Sequence, residues 1–136
     1  MDKVLVADDD AALRSLLRLV ARRAGFDVDM ACNGQEALDL IRKNTYLIAI
    51  VDLMMPLMNG YELVERVAEM EDRPGLIVVT AMTDTYVSGL DGNIVHSIVR
   101  KPFDVEMLRG VLTELATSLR EAKRQDNVID FRDRAC

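Results

Sequence analysis

Short apolar runs recur along this chain, and several stop at a polar or charged residue. Val4-Leu5-Val6-Ala7 gives way to Asp8-Asp9-Asp10, and Leu47-Ile48-Ala49-Ile50-Val51 gives way to Asp52. Leu76-Ile77-Val78-Val79 ends at Thr80, and Ile98-Val99 ends just before Lys101. Brief apolar runs bounded in this way are expected of strands buried on both faces of a sheet. Longer stretches of helical period lie between them, so strand and helix alternate, the pattern of β-α-β units around a parallel sheet. In open sheets of that kind, ligands bind outside the carboxyl ends of the strands. One sheet edge would then collect several carboxylates, a hydroxyl and an ammonium, a set suited to a divalent cation and a phosphoryl group.

The helical stretches carry the rest of the architecture. Leu13, Leu16, Leu17, Val20 and Ala24 share one face of a first helix, opposite Arg14, Arg18 and Arg22, and Gly25 ends it. Phe26 to Ala31 alternates like a strand, Asn33-Gly34 turns the chain, and Glu36 to Lys43 reads as a second helix with Ala37, Leu38, Leu40 and Ile41 inward. Pro56 and Gly60 make the segment after Asp52 a loop, followed by a third helix from about Tyr61 to Met70 that Arg73-Pro74-Gly75 breaks. A last helix begins near Asp104, a suitable N-cap, with Val105, Leu108, Val111, Leu112, Leu115 and Leu119 at helical spacing. Thr83, Thr85, Val87, Gly89, Gly92 and Asn93 are poor helix formers, so a fourth helix between Met82 and Ser97 is expected to be irregular. The expected fold is α/β: a doubly wound five-stranded parallel sheet with helices on both faces and an irregular fourth helix. Residues 1–120 form the domain, and 121–136 form an extension that ends the last helix and frays into a flexible tail.

Composition narrows the function classes. At 136 residues the chain fits one domain with a proper core. A net charge of −6 argues against binding a phosphate backbone, so no direct DNA binding is expected. Cys32 and Cys136 are too few for a disulfide framework or a metal knuckle. No apolar stretch approaches the ~20 residues that span a bilayer. Met1-Asp2-Lys3-Val4 leads straight into strand pattern with no signal peptide, so the expectation is a cytoplasmic protein without membrane association.

A hard divalent cation takes oxygen ligands, typically carboxylates completed by water and phosphate. Asp8 and Asp9 follow one strand directly, and either can reach an ion held against Asp52 on a neighbouring strand; Asp10 is better placed to cap the first helix. Asp52 is the candidate nucleophile, since a carboxylate accepts a phosphoryl group as an acyl phosphate. Lys101 and Thr80 would then stabilise the phosphoryl oxygens. Taken singly, Asp8 is a turn residue, Thr80 a strand residue and Lys101 a solvated one; together they point to a phosphoryl site. His96 has no partner for a metal site, Met54-Met55-Met58 reads as adaptable packing, and the arginine stripe reads as a solvated face.

These residues resemble the receiver domains of two-component response regulators. The match rests on Val4-Leu5-Val6-Ala7-Asp8-Asp9-Asp10, Asn33-Gly34-Gln35-Glu36-Ala37-Leu38, Asp52-Leu53-Met54-Met55-Pro56 with Gly60, Thr80-Ala81 and Lys101-Pro102-Phe103, and it spans roughly Met1 to Arg120. The resemblance implies a flavodoxin-like fold and a signalling module that catalyses only its own phosphorylation and dephosphorylation. Asp52 would take the phosphoryl group from a histidine kinase or a histidine phosphotransfer protein. Asp8, Asp9, Asp52 and the Met54 backbone carbonyl would hold Mg2+ or Mn2+, Thr80 would bond a phosphoryl oxygen, Lys101 would pair with it, and the bond to Pro102 would be cis. A downstream partner, unidentified from sequence, would read the change, and the basic stripe on the first helix lies where the family docks its phosphodonor. Two features depart from the family. Ile98 stands where an aromatic switch residue is usual, which implies atypical switching through Thr80. No output domain follows, so the chain reads as a stand-alone receiver or a truncated one. Two rival readings fit less well. A phosphohydrolase would want an acid after the nucleophile, where Leu53 and Met54 stand, and a flavin carrier would want a Ser-, Thr- or Gly-rich loop where Asp8-Asp9-Asp10 stands. Met54 and Met82 flank the site at positions that tune hydrolysis in the family, which implies a long-lived phosphorylated form.

Overall fold

In the computed structural model, residues 2–82 and 87–135 are described, with side chains in the last helix described through residue 124. Strands β1 (Lys3–Ala7), β2 (Asp27–Ala31), β3 (Ile48–Val51), β4 (Gly75–Thr80) and β5 (Val95–Arg100) form one sheet in the order β2-β1-β3-β4-β5. Every pairing is parallel. Helices α1 (Ala11–Arg23), α2 (Gly34–Lys43), α3 (Gly60–Ala68) and α4 (Val105–Ala135) cover its two faces. The doubly wound parallel sheet expected from the alternating runs is therefore present, with the flavodoxin-like strand order that the resemblance implies.

Alternation along the strands divides the core into two layers. Leu5 and Ala7 of β1, Ala49 and Val51 of β3, and Leu76 and Val78 of β4 join Leu38 and Ile41 of α2 and Leu63 and Val67 of α3 in one cluster. Val4, Val6, Ile48, Ile50, Ile77 and Val79 join Leu17 and Val20 of α1 and Leu108 and Leu112 of α4 in the other. Because β3 and β4 are buried on both sides, their sequences read as continuous apolar runs. Each fully buried Leu or Ile contributes about 1.5–3 kcal/mol relative to exposure.

Short polar side chains fix where the helices start. The Asp10 carboxylate accepts the Ala12 and Leu13 amides, confirming its role as the cap of α1. Asn33 accepts the Glu36 amide and Asn59 the Glu62 amide. These asparagines explain why α2 and α3 begin at Gly34 and Gly60 rather than at the residues beyond. Asp104 caps α4 through the Glu106 and Met107 amides.

Two stretches depart from expectation or escape it. The backbone of α4 remains helical to Ala135, past the point where an early end and a flexible tail are expected. Glu121, Ala122, Lys123, Arg124 and Gln125 are strong helix formers with no Gly or Pro to stop them. Between β4 and β5, Val87 is helical and residues 88–94 follow in turns and bends, with Leu90 and Ile94 amides donating to the Val87 and Asp91 carbonyls. The irregular fourth helix expected there falls in part on residues 83–86, outside the described residues.

Arg120 fastens α4 to the amino-terminal side of the sheet, with a 2.8 Å contact to Asp2 and its guanidinium over the Phe26 ring at 5.5 Å. Among the described residues no helix is long and apolar enough to cross a membrane. The strand order reverses direction between β1 and β3, and the crevice at their carboxyl ends is where such a sheet places a ligand.

Candidate functional site

Both strands bordering that crevice end in an aspartate. The Asp52 amide donates to the Ala7 carbonyl at 3.0 Å, and the Asp8 amide to the Ala31 carbonyl at 3.2 Å. These bonds extend the ladder past the last strand residues and set the two carboxylates side by side. Asp8 is 1% exposed and Asp52 7%, whereas Asp9 is turned to solvent. One carboxylate oxygen from each of Asp8, Asp9 and Asp52 lies within 4.8 Å of the others.

Lys101, just beyond β5, reaches across to this cluster. Its Nζ lies 2.8 Å from Asp52 Oδ2 and 3.2 Å from Asp8 Oδ2. The remaining oxygens are also engaged: Asp8 Oδ1 accepts the Asp10 amide at 2.9 Å, and Asp52 Oδ1 accepts the Met54 amide at 3.2 Å. Burial raises the Asp8 carboxyl above its ordinary value, and the Asp10 amide and Lys101 offset this only in part. Burial also works against the Lys101 charge, but Asp52 and Asp8 together outweigh it and hold its pKa above the ordinary lysine value.

Three carboxylates facing one ammonium leave an excess of negative charge in a largely buried place. The donor set is all oxygen, and its span is close to the ~4 Å between opposite ligands of a Mg2+ ion. The residues therefore fit a small hard dication.

Thr80 closes β4. It is fully buried, its hydroxyl accepts the Met82 amide at 3.1 Å, and its carbonyl accepts the Lys101 amide at 2.9 Å. The Lys101–Pro102 peptide bond is cis. Met54 is 63% exposed, with its amide on Asp52, and it lines an open cleft with Asp9, Pro56, Tyr61 and Met82. Met55 and Met58 are core residues, so the three methionines do not act as one cluster. Ile98 is paired with Val78 in the β4–β5 ladder and is 39% exposed, with no polar group to offer. His96 is exposed on β5.

Two arginines join the site without any motif to announce them. Arg14 belongs by sequence to a solvated stripe with Arg18 and Arg22, yet its Nη1 donates to the Asp8 carbonyl at 2.7 Å. Arg100 Nη1 donates to the Met82 carbonyl at 2.7 Å. Both partners are main-chain oxygens, which every residue type carries, so only the fold identifies them.

Residues 4–113 match the family model described as the response regulator receiver domain. The response regulator ArlR of Staphylococcus saprophyticus is 35% identical over 134 residues, which are 97% of this chain and 58% of that protein. ArlR of Staphylococcus aureus is 35% identical over 132 residues, again 58% of its length, so the chain spans less than two thirds of these relatives. The Thermotoga maritima response regulator TrrA, solved in complex with Mg(2+)-BeF, is 30% identical with a TM-score of 0.76, over 85% of this chain and 99% of that one. A CheY-like receiver domain protein from Methanospirillum hungatei has a TM-score of 0.83 at 23% identity, over 90% of this chain and 98% of that one, a likeness of fold.

Proposed function

The chain belongs to the response regulator receiver family, and from that premise we propose that Asp52 accepts a phosphoryl group from a phosphohistidine donor. The observation carrying this proposal is the Lys101 ammonium held against Asp52 and Asp8 at the mouth of the β1–β3 crevice. An Asp52 carboxylate oxygen attacks phosphorus, the phosphorus–nitrogen bond to the donor imidazole breaks, and the imidazole takes a proton from solvent. The product is an acyl phosphate on Asp52. Transfer of this kind needs positioning and charge stabilisation more than covalent help.

Lys101 supplies one positive charge and keeps it, because its pKa lies above the ordinary value. Thr80 brings a hydroxyl that donates to a phosphoryl oxygen once it turns from the Met82 amide. Asp8, Asp9, Asp52 and the Met54 carbonyl would hold Mg2+ or Mn2+, and the ion would supply positive charge to offset that of the phosphoryl oxygens. Met54 and Met82 beside the site favour a long-lived phosphorylated form. With Ile98 in place of an aromatic, the change at Thr80 passes to the surface by an atypical route.

The donor is a histidine kinase or histidine phosphotransfer protein acting in the cytoplasm, and the phosphorylated form alters binding to a downstream protein rather than to DNA. Residues 1–120 serve as the receiver and 121–136 as an extension. Intact-mass spectrometry after incubation with acetyl phosphate tests the proposal. One phosphoryl adduct is expected with Mg2+, none with EDTA and none on Asp52→Asn. An adduct of full stoichiometry on Asp52→Asn refutes it.

A further inference from the structure

The geometry points to Arg100 as a positioning residue that governs how long the phosphoryl group stays on Asp52, an inference that rests on the phosphoacceptor function proposed above. The Met82 main chain is held on both sides of its Cα. Its N–H donates to Thr80 Oγ1 at 3.1 Å, and its carbonyl accepts Arg100 Nη1 at 2.7 Å. Thr80 and Arg100 are themselves direct partners in the β4–β5 ladder, so both grips stand on one rung of the sheet. Lys101, which pairs with Asp52, follows Arg100 in the chain.

Held this way, the Met82 side chain lines the cleft that also presents Met54 and Asp9. The Met54 amide in turn touches Asp52. Loss of the phosphoryl group takes place beside that cleft. A water oxygen attacks phosphorus, the bond between phosphorus and the Asp52 oxygen breaks, and the carboxylate is restored. Inorganic phosphate leaves, and the proton of the water passes to phosphate or solvent. An ordered water needs about two to four polar partners, and a thioether offers only a weak acceptor. Met82 fixed in the cleft therefore disfavours the attacking water.

When Thr80 turns its hydroxyl to a phosphoryl oxygen, the bond from Arg100 still holds the Met82 peptide. Ile98, on the same strand, has no donor with which to do so. Without Arg100, Met82 would swing away and admit water.

The test uses the full chain charged with acetyl phosphate and Mg2+, freed of reagent, and followed by intact mass as the adduct decays. Arg100→Ala is expected to shorten the half-life about fivefold, the ratio that one hydrogen bond of ordinary net strength supports, with the charging rate changed less than about twofold. Arg100→Lys, which keeps a donor, is expected to fall between Arg100→Ala and wild type. Met82→Ala shortens the half-life by itself, and adding Arg100→Ala to it changes nothing further, because no side chain is left to position. A half-life for Arg100→Ala within about twofold of wild type overturns the inference. So does an equal shortening by Arg100→Ala in the Met82→Ala background, which would show action by another route. A wild-type chain that takes no phosphoryl group overturns the phosphoacceptor function itself, and the role of Arg100 with it.

Discussion

Tyr46 donates its hydroxyl to Asp29 Oδ2 at 2.6 Å, joining the segment before β3 to the edge strand β2. Lys3 reaches the same oxygen at 3.2 Å and lies 5.9 Å from the centre of the Tyr46 ring. The hydrogen bond lowers the Asp29 carboxyl below its ordinary value. Burial first, and then Asp29, push the Tyr46 hydroxyl well above its ordinary value.

This pair gives the fold a defined pH window. Asp29 has a depressed folded pKa, so its contribution is present above the unfolded carboxylate pKa and is lost as pH falls through the folded one. Tyr46 has a raised folded pKa, so its contribution is complete below the unfolded tyrosine value near ~10 and fades as pH rises beyond it. Tyr46→Phe is expected to cost about 1 kcal/mol near neutrality, or ~3–4 °C in thermal midpoint. Midpoints measured from acid to alkaline pH should show the two proteins converging at both ends. A constant gap across the range would remove Asp29 as the partner.

Gly60 underlies the Asp52 main chain. A Cβ built there would lie 2.4 Å from the Asp52 carbonyl oxygen and 2.6 Å from the Leu53 Cα, both rigid backbone. Gly60→Ala should cost about 3 kcal/mol or more and should slow charging by acetyl phosphate, because the strain falls on the main chain of Asp52, the proposed phosphoacceptor. Denaturant unfolding and intact mass together check both halves.

A divalent cation bound as proposed would share with Lys101 the carboxylates of Asp8 and Asp52. Lys101→Ala is expected to melt lower than wild type in EDTA and to gain more on adding Mg2+, since Asp8 and Asp52 lose their shared counter-charge. A ligand at about a hundred times its Kd stabilises by about 2.7 kcal/mol, so the gain is readable as a midpoint shift. Equal Mg2+ responses in variant and wild type would separate the metal from these carboxylates.

Leu57 holds a left-handed backbone, φ 68°, while 83% exposed. A side chain in that conformation costs about 1–2 kcal/mol, and no burial offsets it here. Leu57→Gly should stabilise by about 0.5–1 kcal/mol after the greater entropy of the unfolded glycine is counted. Gly110→Ala, inside α4 with nothing within 4 Å of the new Cβ, should stabilise by about 1 kcal/mol for the opposite reason. Thermal melts of the two single variants decide both.

Much of this molecule is legible in one dimension because its information is local. Buried parallel strands write themselves as apolar runs, and Asp8 and Asp52 announce themselves by ending two of them. Asp10 and Asp104 are readable as caps for the same reason. Asn33 and Asn59 act alike but are masked by the glycines after them, so the starts of α2 and α3 read late. The length of α4 is written in helix propensity, which loses weight when no apolar stripe accompanies it. Arg14 and Arg100 are illegible for a deeper reason, because their acceptors are carbonyls brought near by the sheet. Leu57 gives no hint of its backbone, since Gly or Asn would be the usual signal there.

Lys101 meets Asp52 across 49 residues and Asp8 across 93, so its ammonium arrives only after the final strand has docked. A ribosome-bound chain that has emerged through β4 already holds both aspartates but lacks the cation that steadies them. The constellation proposed to receive a phosphoryl group is therefore assembled only once β5 has joined the sheet, and a copy that is locally unzipped there lacks the ammonium beside Asp52.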